Sequence, residues 1–113
     1  MKLREPIEFQ DVIKTVKEQS DRNISYCIYS NIDDSADLAL HTLCYLDSYP
    51  EITDDDREIY PEFVTANELS LLFREELVQD VVFNVLRQKV SATAQDILEA
   101  ILYYDAKDDF LDF

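Results

Sequence analysis

Leu77-Val78-Gln79-Asp80-Val81-Val82-Phe83-Asn84-Val85-Leu86 is the stretch on which the reading of the fold turns. Its apolar pairs, Leu77 with Val78, Val81 with Val82 and Val85 with Leu86, recur every four residues, so one face of an α-helix collects them all. Glu75 and Glu76 before it, and Arg87 and Lys89 at its end, complement the helix dipole. The spacing predicts a helix over 75–89. Downstream, Ile97, Leu98, Ile101 and Leu102 form a second stripe and predict a helix over 93–106 that begins near Thr93. Upstream, Thr65-Ala-Asn-Glu68 has the form of a capping box, which predicts a short helix over 66–73.

At the N-terminus Phe9, Val12, Ile13 and Val16 share a helical face while Lys14, Lys17 and Glu18 fall off it. Pro6 suits a first helical position because its missing N–H needs no partner there. A helix from Pro6 to Gln19 follows, broken by Ser20-Asp21-Arg22-Asn23. Residues 24–29, Ile-Ser-Tyr-Cys-Ile-Tyr, are β-branched and aromatic and predict a strand. The run from Leu38 to Leu46 fits a strand or a short helix, and Thr42, Cys44 and Tyr45 favour a strand over 39–46. The two strands form an antiparallel hairpin around the polar residues 30–37. A lone pair of strands is marginal, so it has to lean on the helices. Residues 47–62, with Pro50 and Pro61, cannot be a continuous helix and read as a surface loop. Phe110, Leu111 and Phe113 dock the tail. The fold class is a helix-rich α+β domain spanning 1–113.

The composition fits one domain: 113 residues, 47% of them apolar. It also excludes function classes. The chain has no glycine, so glycine-built phosphate cradles and the G-x-S-x-G elbow are absent. Twenty-five acids face ten bases, for a net charge of −15, which repels nucleic acid and anionic membranes. The N-terminus lacks the apolar run of a secretory signal, and no window has the length of a membrane span. A cytoplasmic protein is the expectation. Cys27 and Cys44 then read as small buried hydrophobes rather than a disulfide.

No strong catalytic motif emerges, and the chain reads as a non-enzyme that needs no cofactor. His41 is the only histidine, and its neighbours Leu40 and Leu43 make it a strand residue with a satisfied ring. Zinc-site spacing is missing. Asp54-Asp55-Asp56 with Glu58 suggests calcium, but the acids are contiguous and an EF-hand needs alternation and a glycine. No metal site is expected.

The charge is unevenly placed. Residues 1–22 hold five acids and five bases, residues 23–73 eleven acids and one base, and residues 74–113 nine acids and four bases. Residues 47–62 alone carry seven acids and one arginine. Such clustering costs self-repulsion. One reading is a solubilising surface. The sharper one is a docking surface for a basic partner, with Tyr45, Tyr49 and Tyr60 as aromatic anchors beside the acids.

Four segments resemble a known group: Tyr26-Cys27-Ile28-Tyr29, Leu43-Cys44-Tyr45-Leu46-Asp47 leading into the acidic stretch, Gln79-Asp80-Val81-Val82-Phe83-Asn84, and Tyr103-Tyr104-Asp105 through Asp108-Asp109-Phe110. On these the chain resembles the small acidic immunity proteins of bacterial contact-dependent growth inhibition and related polymorphic toxin systems. The resemblance implies a toxin–antitoxin function: binding a cognate toxin domain, typically a basic nuclease, and blocking its substrate site. It implies a monomer or weak dimer whose partner is a protein, not nucleic acid or membrane. The contact surface it suggests is Asp33, Asp34, Asp47, Glu51, Asp54, Asp55, Asp56, Glu58 and Tyr60, with Asp108, Asp109 and Asp112 second. The alternative is a nucleic-acid mimic that inhibits a DNA-binding protein, although the neutral residues 1–22 argue against mimicry over the whole surface.

Overall fold

The structure, a computed structural model, describes residues 2–19 and 25–113. Its elements, in chain order, are β1 (Ile7–Glu8), α1 (Phe9–Lys17), β2 (Cys27–Ser30), β3 (Leu43–Asp47), β4 (Glu51–Ile52), β5 (Glu58–Ile59), α2 (Glu62–Ala66), β6 (Ser70–Arg74), α3 (Glu75–Gln88) and α4 (Ala94–Lys107), with a 3₁₀ turn at Ser35–Asp37. This is an α+β domain. The main sheet is antiparallel, in the order β1-β3-β2-β6, and β4 pairs with β5 apart from it.

The expected hairpin is the centre of that sheet, with Ile28 opposite Leu46 and Tyr29 opposite Tyr45. Its strands are shifted from the predicted ranges. The first starts at Cys27, with Ile24 and the expected 20–23 break outside the described residues, and the second at Leu43, preceded by a turn. His41 lies in that turn, exposed, rather than in a strand.

Alternation along the strands sends side chains to two layers. On one side Ile28, Cys44, Leu46 and Phe73 meet Phe9, Val12, Ile13 and Val16 of α1, Val78, Val81, Val82 and Val85 of α3, and Ile97, Leu98 and Ile101 of α4. On the other, Cys27, Tyr29 and Val64 pack with Tyr49, Tyr60, Leu69 and Leu71. The segment 48–69 is therefore an outer layer over the sheet. Cys27 and Cys44 are buried, free and on opposite sides.

Three sequence expectations are corrected. Pro6 does not open α1. Ile7 and Glu8 instead add a short strand to β3, and the helix begins where Phe9 N–H donates to Thr42 O (3.0 Å) and Gln10 N–H to Leu40 O (2.8 Å). A tertiary partner, invisible in local sequence, takes the N–H groups that a helix start leaves unpaired. The acidic stretch is not simply a loop, since it folds into the β4–β5 hairpin and the start of α2.

The 66–73 helix is also wrong. Thr65 stands near the end of α2, and Leu69 N–H donates to Val64 O (3.0 Å) and Glu68 N–H to Thr65 O (3.2 Å). These two bonds make a Schellman cap, with Glu68 in the left-handed conformation (φ 54°) that glycine usually occupies. Residues 70–74 continue as β6, with a bulge where its register against β2 shifts. The bulge lets neighbouring Leu72 and Phe73 both pack on the helical side while Leu71 joins the outer layer.

The helices over 75–89 and 93–106 are borne out as α3 and α4. Thr93 caps α4, its hydroxyl accepting from Asp96 N–H (3.1 Å) while Asp96 accepts from Thr93 N–H (3.0 Å).

Candidate partner-binding surface

β4 and β5 form a short antiparallel hairpin with Glu51 opposite Ile59 and Ile52 opposite Glu58. Directly opposed residues share a face, so each face of the ribbon carries one carboxylate and one isoleucine. All four side chains are exposed, Ile52 at 60% and Ile59 at 52%. The hairpin thus presents apolar and acidic groups side by side to solvent.

Its tip is closed by Thr53 N–H donating to Arg57 O (2.9 Å), Asp56 N–H to Thr53 O (3.0 Å) and Arg57 N–H to Thr53 Oγ1 (3.0 Å). Asp55 accepts from the Thr53 hydroxyl and pairs with Arg57 Nε at 2.9 Å. Asp56 sits at positive φ (63°), a conformation aspartate tolerates better than most residues. Of the three contiguous aspartates, Asp55 therefore holds the turn, while Asp54 and Asp56 face solvent.

The tyrosines beside the acids point inward. Tyr60 donates to Glu58 Oε2 (2.6 Å) and meets the Tyr29 ring edge-on at 6.3 Å. The Glu58 bond, aided by burial, pushes its hydroxyl pKa up. Tyr29 donates to Ser48 O (2.8 Å), and its pKa is raised chiefly by burial. Tyr49 donates to Glu75 Oε1 (3.3 Å) beneath the Arg74 guanidinium, 5.8 Å from its ring centroid. Burial first, then the Glu75 charge, raise the Tyr49 pKa to about 12. Tyr45 packs against Phe63 of α2, ring centroids 5.6 Å apart. Half-buried Tyr45, Tyr49 and Tyr60 tie the outer layer to the sheet, so the apolar groups presented beside the acids are Ile52 and Ile59 instead. Tyr60, with Arg4, Tyr49, Glu51, Ile59 and Glu62, lines a groove of about 380 Å³ at the hairpin base.

Asp47 leaves the expected contact surface. It is fully buried, with Arg4 Nη2 at 3.2 Å and Ser48 N–H at 2.7 Å. A buried carboxylate needs such partners, and the sequence gives no hint of Arg4, 43 positions away.

The remaining expected acids lie elsewhere, at the 3₁₀ turn and in the C-terminal tail. Asp33 accepts from Ser70 Oγ (3.4 Å), and Asp34 caps the 3₁₀ turn through Ala36 N–H (2.9 Å). Ser35 Oγ donates to Asp105 (2.6 Å), which brings that turn against the end of α4. Asp108 ends α4 at positive φ, Asp109 accepts from Phe110 N–H (2.9 Å), and Asp112 is exposed. The tail is held by Gln88, which donates to Leu111 O (3.1 Å) and accepts from Phe113 N–H (3.0 Å), and by Phe110 against Tyr104. Leu111 packs half-buried on the core, while Phe110 and Phe113 stay partly exposed.

Sequence reasoning also missed Glu75. It is only 8% exposed, and among the described residues its Oε2 has no hydrogen-bond partner. Its place in the first turn of α3, where the dipole favours an anion, was legible, but its burial under Tyr49 was not. Among the described residues no group of His, Cys, Asp and Glu could hold a metal ion, and no helix is long and apolar enough to cross a membrane.

Residues 6–113 match a family described as a domain of unknown function, DUF7716. The chain belongs to that family. No curated protein and no solved structure matches it. The DUF7716 match takes in the whole acidic hairpin and the tail but starts after Arg4, so the cation that neutralises Asp47 lies outside it.

Proposed function

We propose that the protein is an immunity-type inhibitor that binds a cognate basic toxin domain, a nuclease, through its acidic surface and covers the toxin's substrate site. The observation that carries this reading is the exposed hairpin, which sets Ile52 and Ile59 beside Glu51 and Glu58, with Asp54 and Asp56 at its tip. A nuclease is basic around its active site because it binds phosphates. An acidic surface competes for the same ground, and charge speeds the encounter. The isoleucines supply the apolar contact that slows release once charges have met. The protein acts by binding, without catalysis or cofactor, and works in the cytoplasm, where the toxin arrives.

The test is to recover the tagged protein from its native cells at low salt and raise the salt stepwise. The expected result is one small basic domain that is lethal when expressed alone and harmless when co-expressed with this chain. Assorted DNA-binding proteins released at moderate salt, as a nucleic-acid mimic would give, would overturn the proposal, and so would recovery of nothing.

A further inference from the structure

Among the described residues β6 is an edge of the main sheet: it pairs with β2 on one side and has no described strand on the other. An edge strand presents N–H and C=O groups able to accept another strand. Here the edge borders a groove of about 420 Å³, lined by Leu71, Leu72, Phe73 and Arg74 of β6, Glu76, Leu77 and Asp80 of α3, and Tyr104 of α4. The half-buried Leu72, Leu77 and Tyr104 make an apolar floor. Glu76 and Asp80, both exposed, stand one helical turn apart, roughly 6 Å along the axis. In an extended chain, side chains on one face repeat at roughly 6.7 Å. An added strand with basic residues at alternate positions can set one opposite each carboxylate.

We propose that the free edge of β6 and its groove form a second binding site, which takes an extended segment of a basic protein partner as an added β-strand with Lys or Arg at alternate positions. Main-chain pairing gives the affinity, and Glu76 and Asp80 give the sequence preference. Charge selects this occupant over a second copy of the chain, since two copies at −15 each repel. The site is separate from the β4–β5 hairpin in residues and in binding mode, and it does not depend on the identity of the partner proposed above.

The experiment uses the full chain and a capped decapeptide alternating Lys with Val, followed by backbone amide NMR. Saturable shifts at 71–74, 76 and 80, with slowed amide exchange at outward-facing β6 groups, are expected. A peptide with two central prolines, which lacks the donors, is expected not to bind. E76K/D80K is expected to weaken binding at least tenfold, while E51K/E58K on the hairpin leaves it unchanged. Equal binding of the proline peptide, shifts confined to residues 51–60, or dimerisation of the free chain through β6 would each refute the proposal. If the hairpin reading alone fails, peptide binding at β6 persists.

Discussion

Arg4 and Asp47, 43 residues apart in sequence, meet with the guanidinium 3.2 Å from a carboxylate that has no exposed surface, while the arginine side chain remains 54% exposed. The pair fastens the N-terminal segment to β3, helped by Arg4 N–H donating to Leu46 O (2.8 Å). Removing the arginine strands a buried charge, which costs 3–5 kcal/mol in a fully buried pair. With Arg4 half in solvent, Arg4→Ala is expected to lower stability by about 1–3 kcal/mol. Asp47→Asn, which keeps an acceptor for Ser48 N–H, is expected to cost less. Urea unfolding of both variants checks the order. Equal, negligible losses would mean that water already screens the pair.

The hairpin acids are expected to matter for association and not for folding. Glu51, Asp54 and Glu58 are exposed, and among the described residues none is in an ion pair. Changing all three to Lys is therefore expected to leave the unfolding midpoint nearly unchanged. Association with the partner should slow at least tenfold, and its dependence on salt should flatten. Ile52→Ser with Ile59→Ser should instead speed dissociation. Stopped-flow association and dissociation rates separate the two, and a triple variant that associates at the unaltered rate would remove the hairpin from the interface.

Glu68 offers a test of backbone strain. It occupies the left-handed position of the α2 cap, which costs an L-residue roughly 1–2 kcal/mol. Glycine removes that cost but gains freedom in the unfolded chain. Glu68→Gly is expected to stabilise by about 1 kcal/mol, whereas Glu68→Val should destabilise. Thermal and urea midpoints check both. No gain with glycine would mean that the glutamate side chain offsets its own strain.

The same residue explains what could be read from the sequence and what could not. α3 and α4 were legible because their apolar stripes are local and Thr93 and Asp96 carry their cap in sequence. The β2–β3 hairpin was legible from its β-branched and aromatic residues. β6 was not, because with no glycine in the chain the end of α2 at Glu68 carried no stop signal and Thr65–Glu68 mimicked a start. At the candidate surface, the acids of 51–58 were legible as charge. Asp47 looked the same in sequence, and only the distant Arg4 shows it to be structural. Ile52 and Ile59 were missed because nothing local tells an exposed isoleucine from a buried one.

Cys27 and Cys44 are both fully buried, and burial pushes the thiol pKa of Cys27 up to about 11 and that of Cys44 up to about 12. The thiolate is the reactive form. Both are therefore expected to resist alkylation in the folded protein at pH 8 and to react within minutes once it is unfolded in urea. Mass spectrometry of iodoacetamide-treated samples reads this out. Rapid labelling of Cys27 under native conditions would mean that the outer layer of residues 48–69 lifts off the sheet.

Asp96 is expected to contribute to the acid limb of stability with a definite sign. Its pKa is lowered first by the Thr93 N–H bond and then by the Lys89 ammonium at 3.2 Å. A carboxylate with a folded pKa below its unfolded value, about 3.9, adds stability that is present above that value and lost as pH falls through the folded one. Asp96→Asn should therefore flatten the fall in stability below pH 4 and lower stability at pH 7. Thr93→Ala, which removes the reciprocal half of the box, is expected to cost about 1 kcal/mol at pH 7. Because the main cause is a backbone N–H rather than the lysine, Lys89→Met should leave most of the acid limb in place. If Lys89→Met abolishes the limb as completely as Asp96→Asn, the ion pair rather than the cap sets it.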